Sequence, residues 1–483
     1  MSLLDHVDRA VGATAERAVC AHHARRLRRL GWQRALDPDR GAFCAGDPPP
    51  REGCDVRVLV DGEEALPVIA EAVRGARSHV LIAGWHVTPA FELTRGEQAL
   101  ALRELLGETA ERVPVRVLLW AGAPLPVFKP SRAQVRDVRE ALVAGTRIRC
   151  ALDAHERPMH CHHEKLVVVD DEIAFVGGID LTSLAGDRFD RPNHPRRHGV
   201  GWHDAASRLG GPIVADVSDH LRLRWREVTG EDLGRASAPP PAGESRVQLV
   251  ATVPERIYDA VPRGAFRILE AYMRALRDAR RLIHLESQFL WSPEIVAVLA
   301  HKLAHPPCDE FRLVVVLPTK ANNGADATRG QIGVLAEADA RGGGGRLAAC
   351  SLYARDAEGR TTPVYVHAKI GIVDDAWLTL GSANLNEHSL FNDTEVNIVT
   401  DDADLARATR IRLWAEHLEA DPALVASRPA HELVDELWRP LAQQGSGRLA
   451  VGAPLTHRLA RLPNASKRSR RLLGPLDSLL VDG

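Results

Sequence analysis

The chain has 483 residues, 45% hydrophobic and 26% charged, the make-up of an ordinary globular protein with room for about two to four domains. A formal net charge of −2 provides no global field toward nucleic acid or anionic membrane. The seven cysteines are odd in number, scattered and without C-x-x-C spacing, which argues against a disulfide framework and for a reducing compartment.

Residues 1–55 read as a helical and loop prelude without the uninterrupted apolar stretch of a signal peptide. No segment approaches the roughly eighteen apolar residues of a membrane-spanning helix, so any lipid substrate is expected to be reached from the water side. A first unit is expected over 56–233. It opens with an amphipathic helix and strand over 66–89, followed by strands at 113–120 and 146–152. Next come His163-Glu164-Lys165-Leu-Val-Val-Val-Asp170 and the turn Gly177-Gly178-Ile179-Asp180. The stretch 234–246, GRASAPPPAGESR, has the composition of a linker.

A second unit, 247–442, repeats the plan. Helix and strand fall at 267–291, further strands at 311–318 and 346–353, then His367-Ala368-Lys369 with Asp374, and the turn Gly381-Ser382-Ala383-Asn384. A tail, 443–483, carries Lys467, Arg468, Arg470 and Arg471. Alternating helices and short apolar strands predict an α/β fold of two tandem pseudo-symmetric domains, each a β-sheet flanked by helices, with one site at their interface.

Side chains alternate along a strand, so each H-x-K puts His and Lys on one face and its Asp on the other. Asp170 and Asp374 complete the motifs, but their parity points to a structural task. Two halves packed together then offer two histidines and two lysines to one cavity. Phosphodiester displacement needs a nucleophile, an acid for the leaving oxygen and positive charge for the non-bridging oxygens. Imidazole can do the first two and ammonium the third, without a metal. Attack by one His splits the reaction through a phosphohistidine. Ser382, Asn384 and the backbone N–H groups of the turns at Gly178 and Ser382 are expected to add donors. Each His needs an orienting carboxylate; Glu395 is the candidate in the second half and Asp204 in the first.

These residues resemble the phospholipase D superfamily, whose signature is a doubled H-x-K-x4-D followed by G-[GS]-x-[ND]. The resemblance covers roughly residues 55–420 and is nearest to the eukaryotic-type branch, in blocks such as HHEKLVVVDDEIAFVGGIDLT, GWHDAASRL and VYVHAKIGIVDD. It implies His163 as nucleophile and His367 as general acid/base. Lys165, Lys369 and Asn384 would hold phosphate, with Asp180 at the position equivalent to Asn384. Trp85 and Gln288 would border the pocket. The implied reaction is hydrolysis of a glycerophospholipid to phosphatidic acid, with transfer to alcohols, no cofactor and no metal. Space for lipid-targeting modules is lacking before the first repeat, so a catalytic core in the cytoplasm, with peripheral contact at the inner membrane face and no obligate protein partner, is expected.

Three other functions share parts of this pattern. A cardiolipin-synthase-type phosphatidyltransferase uses the same chemistry. A nuclease on this scaffold is disfavoured by the near-zero net charge. A non-catalytic relic is disfavoured by two intact motifs. His155, His160, Cys161, His162 and His163 cluster without any standard zinc spacing, and no metal is assigned to them. The loops 121–135 and 319–345 are expected to shape access, and the insertion 185–203, with His194, His198 and His203, to form a lid or a polar loop.

Overall fold

The computed structural model describes residues 3–94, 99–125, 129–183, 201–321, 325–356 and 358–462. The two halves have the same strand order. In the first half, Arg149–Asp153, Val115–Trp120 and Val80–Gly84 run parallel, followed antiparallel by Leu166–Val169, Ile173–Gly177, Ala205–Gly210 and Arg51–Val60. In the second half, Leu347–Arg355, Arg312–Val316 and Leu282–Glu286 run parallel, followed antiparallel by Ile370–Val373, Trp377–Gly381, Glu395–Thr400 and Ser245–Val253. Arg51–Val60 pairs with Ser245–Val253 across the centre, and this contact joins both halves into a seventeen-stranded sheet.

The central parallel strands of the two halves, Val115–Trp120 and Arg312–Val316, are nearly continuous runs of Val and Leu, as expected where helices cover both faces. One core lies under the helices Asp61–Arg74 and Leu102–Ala110 of the first half, and another under Arg267–Asp278 and Pro293–Ala304 of the second. A third core is shared. Leu118 and Val168 from one half meet Leu249 and Ile372 from the other beneath the helices Ile213–Thr229 and Ala403–Leu418. The two units therefore bury apolar surface against each other, and the interface between them is fixed by packing.

The motif aspartates explain the hairpins. Asp170 and Asp171, like Asp374 and Asp375, adopt positive φ. The two central positions of a type I′ turn require this, and Asp tolerates it better than most residues. Asp170 then accepts the backbone N–H groups of Arg77, Ser78 and His79, and Asp374 those of Arg280, Arg281 and Leu282. Each pins the start of the neighbouring parallel strand. They belong to the scaffold and not to the catalytic set in which the motif placed them.

Other expectations need correction at their edges. Strand Arg51–Val60 begins inside the stretch read as prelude, and strand Ser245–Val253 inside the stretch read as linker. The stretch read as a tail from 443 carries most of helix Arg439–Ala450 and the strand Leu459–Arg461, which pairs with Leu347–Arg355. Most of the loop expected over 319–345 is the helix Ala325–Arg341, and 121–135 runs into the helix Arg132–Val143. The cluster Lys467–Arg471, His194 and His198 lie outside the described residues. No described helix is long and apolar enough to cross a membrane.

Candidate active site

Both H-x-K segments lie just ahead of their strands, in extended backbone leading into Leu166–Val169 and Ile370–Val373. Alternation holds there. Glu164, between His163 and Lys165, turns away to Arg224 at 2.7 Å and His220 at 2.8 Å. His162 likewise faces Thr394 and Asp153, on the side opposite His163. His163 and His367 approach across the junction of the two halves, with ring centroids 6.5 Å apart.

Each histidine is oriented by a carboxylate from the opposite half. His163 Nδ1 lies 3.0 Å from Glu395 Oε1, and His367 Nδ1 lies 2.7 Å from Asp204 Oδ2. The pairing expected from the sequence, each carboxylate serving the histidine of its own half, is wrong. The backbone gives the reason. Trp202–His203 pairs in parallel with Tyr365–Val366, in the register Tyr365 to Trp202 and Val366 to His203, so the next residues in line are His367 and Asp204. His162 and Thr394 form a parallel bridge, and the next residues are His163 and Glu395. Each histidine segment is thus stitched to the carboxylate segment of the other half.

With Nδ1 turned to a carboxyl group, Nε2 is the atom of each ring that attacks or that gives and takes a proton. Glu395 also accepts hydrogen bonds from the hydroxyls of Ser382 and Ser389. Burial pushes its carboxyl up to about 8, against the pull of Lys165 and the two serines. Asp204 occupies the space that a side chain at Gly178 would need, since a Cβ there would stand 2.1 Å from Asp204 Oδ1. Glycine at 178 and serine at 382 are therefore different solutions at equivalent positions: one makes room for the carboxylate beside it, the other bonds to it. The amides of Gly178 and Ser382 donate to the carbonyls of Ala205 and Val396. They are not the phosphate donors the sequence reading expected.

The remaining residues gather around the pair. Lys165 Nζ donates to the His163 carbonyl at 2.7 Å and sits 3.1 Å from Asp180. Lys369 Nζ donates to the His367 carbonyl. Asn384 reaches Gln288 at 3.4 Å, and Gln288 donates to the Tyr365 hydroxyl at 2.7 Å. Trp85 stacks on Trp120 and takes Asp180 onto its backbone N–H. Trp202 lies against the His367 ring, centroids 4.5 Å apart. Tyr365 and Trp202 were missed, although Tyr365 shares the parity of His367 and was legible on that ground. Ser389 left no signal.

His203, which the sequence placed in a possible lid, is fully buried between Asp61 at 3.0 Å and Glu286 at 2.8 Å. Burial opposes its charge, but the two carboxylates hold its pKa well above the usual range. Its carbonyl accepts the N–H groups of His367 and Ala368, so it secures the register beneath the site. Among the described residues, three groups of side chains have the spacing to hold a cation: His203, Glu286 and His417; Asp61, His203 and Glu416; and His160, His388 and Asp393. In the first, Glu286 already takes hydrogen bonds from His203, His284 and His417.

Comparison with known proteins finds relatives of both halves. The family described as Phospholipase D matches residues 72–201, and that described as Cardiolipin synthase, PLD-like domain, matches 315–415. Phospholipase D A of Dictyostelium discoideum is 26% identical over 482 residues, covering 80% of this chain and 37% of that protein. Phospholipase D alpha 3 of Arabidopsis thaliana is 23% identical over 549 residues, covering 77% of this chain and 66% of that protein. The chain thus spans between about a third and two thirds of the length of these relatives. The crystal structure of phosphatidylserine synthase from Haemophilus influenzae Rd KW20 superposes with a TM-score of 0.50 at 13% identity, over 80% of this chain and 97% of that one, a likeness of fold. Two matched repeats, each containing its own H-x-K segment and meeting at one site, together with these relatives, place the chain in the phospholipase D superfamily.

Proposed function

We propose that this protein is a phospholipase D-type phosphodiesterase that hydrolyses glycerophospholipids to phosphatidic acid and free headgroup, and passes the phosphatidyl group to alcohols when they are present. The observation that carries the reading is the facing pair His163 and His367, each held by a buried carboxylate from the opposite half. The names of the curated relatives support the substrate class.

In the reaction, His163 Nε2 attacks phosphorus. A P–N bond forms, the P–O bond to the headgroup breaks, and His367 gives its Nε2 proton to the leaving oxygen. His367 then takes a proton from water or an alcohol, whose oxygen attacks phosphorus and releases His163. Lys165, Lys369 and Asn384 hold the non-bridging oxygens. Asp180 beside Lys165 trims the positive charge toward the single charge of a diester. The enzyme works from the water side, in peripheral contact with a membrane surface.

The test is a product assay on mixed phospholipid vesicles with a trace of ethanol. Phosphatidic acid together with phosphatidylethanol is the expected result, lost in His163→Ala and in His367→Ala while both variants keep the wild-type circular dichroism. Cleavage of DNA or a simple diester with no lipid product would remove the lipid reading. The description of the family matching the second half favours one alternative, transfer to a lipid alcohol. Adding phosphatidylglycerol as acceptor distinguishes it, since cardiolipin would then exceed phosphatidic acid.

A further inference from the structure

His160 belongs to the first half and sits three residues before His163. His388 and Asp393 belong to the second half, and Asp393 sits two residues before Glu395. The fold brings the three together. His160 Nδ1 lies 2.9 Å from His388 Nδ1 and 3.3 Å from Asp393 Oδ1. His388 and Asp393 are wholly buried, and the His160 side chain keeps 13% of its surface. A π-helical turn, His388–Asn392, puts Asp393 beside His388 through a hydrogen bond from the Asp393 N–H to the His388 carbonyl at 2.8 Å. Such turns recur at functional sites.

Two polar atoms of the cluster are left without a hydrogen-bond partner among the described residues, Asp393 Oδ2 and His388 Nε2. Asp393 Oδ1 accepts the Cys161 N–H, but Oδ2 is buried without a hydrogen-bond partner. A bare carboxylate oxygen in the interior is costly unless a cation compensates it. The two Nδ1 atoms face each other at 2.9 Å, so one ring proton or one cation can sit between them. We propose that His160, His388 and Asp393 form a binding site for a divalent transition-metal cation of the zinc class, which clamps the two halves beside the His163–Glu395 pair.

Two imidazoles and one carboxylate suit Zn2+, with water on the exposed side of His160 as the fourth ligand. Tetrahedral ligands at about 2.0–2.1 Å from zinc stand about 3.3 Å apart, so the rings part by a few tenths of an ångström on binding. The cation takes no part in the chemical steps. It ties segment 160–163 to segment 393–395, whose bridge sets the distance from His163 to Glu395. Local spacing around His160 could not disclose the site, because two of its three ligands come from the other half.

The test uses the full chain, stripped by chelator dialysis and titrated with Zn2+ alone. Binding is read by metal analysis after gel filtration, by competition with a chromophoric chelator, and by thermal unfolding, all without substrate. His301 and His305 form an exposed pair, ring centroids 5.0 Å apart, that binds metal adventitiously in such experiments, so His301→Gln is the control. One Zn2+ per chain is expected, with a raised unfolding midpoint. His160→Gln and His388→Gln should each weaken it by more than about a hundredfold, beyond what loss of a mere neighbour of a ligand costs. His301→Gln should leave it unchanged. Circular dichroism checks that the variants fold, and His160, at the rim, is the safer of the two. Absence of stoichiometric binding, equal binding in His160→Gln and wild type, or loss confined to His301→Gln would each overturn the site.

Discussion

The crossing of the two carboxylates makes a kinetic prediction that a same-half arrangement reverses. Glu395→Gln should copy a His163 variant, and Asp204→Asn a His367 variant. Above about pH 8, where the Glu395 carboxyl is ionised, each substitution replaces a buried, charge-assisted hydrogen bond of 3.0 or 2.7 Å with a neutral one. Such bonds are worth about 1.5–3 kcal/mol, or roughly ten- to 150-fold in rate, and an imidazole trapped in the wrong tautomer costs up to about ten-thousandfold. The assay separates the two steps. With a p-nitrophenyl phosphodiester the leaving group needs no acid, so formation of the covalent intermediate depends mainly on the nucleophile and its partner. Its breakdown still needs a base to activate water. Asp204→Asn, like His367→Ala, should therefore release a burst of nitrophenol and accumulate a phosphorylated protein, stable to alkali and labile to acid. Glu395→Gln, like His163→Ala, should show neither. If Glu395→Gln accumulates the intermediate and Asp204→Asn does not, with the histidine variants behaving as stated, the cross-half pairing is refuted.

Three further expectations concern the same residues. Because burial holds the Glu395 carboxyl up to about 8, below that pH it carries a proton and can accept Nδ1–H from His163 only through its neutral carbonyl oxygen, a weaker bond; kcat/KM should rise with pH through about 8, and Glu395→Gln should remove that limb from the pH–rate profile. Gly178→Ala would set a methyl group 2.1 Å from Asp204 Oδ1 and displace the carboxylate from His367; a large loss in kcat with a stability cost of about 1–3 kcal/mol by urea unfolding is expected, and wild-type kcat would contradict the contact. Asp374→Ala frees three backbone N–H groups near the surface, where water replaces part of the loss; the unfolding midpoint should fall by an amount equivalent to about 1–2 kcal/mol while kcat changes far less than in His367→Ala.

The sequence determined what depends on local periodicity. Alternation along the strands placed Glu164 and His162 opposite His163, and it assigned Asp170 and Asp374 to the scaffold although they belong to the motif. The duplication itself predicted two similar sheets meeting at one site, because each half carries one histidine and the chemistry needs two. The tertiary structure alone decided which groups share a proton. Asp204 serves His367, and Glu395 serves His163, because the parallel pairing of Trp202–His203 with Tyr365–Val366 and the bridge from His162 to Thr394 run between the halves. The gathering of His160 with His388 and Asp393, and of His203 with Asp61 and Glu286, has the same origin. Periodicity fixes the face on which a side chain stands; the partner it meets there is set by how two sheets pack, which no spacing within either half encodes.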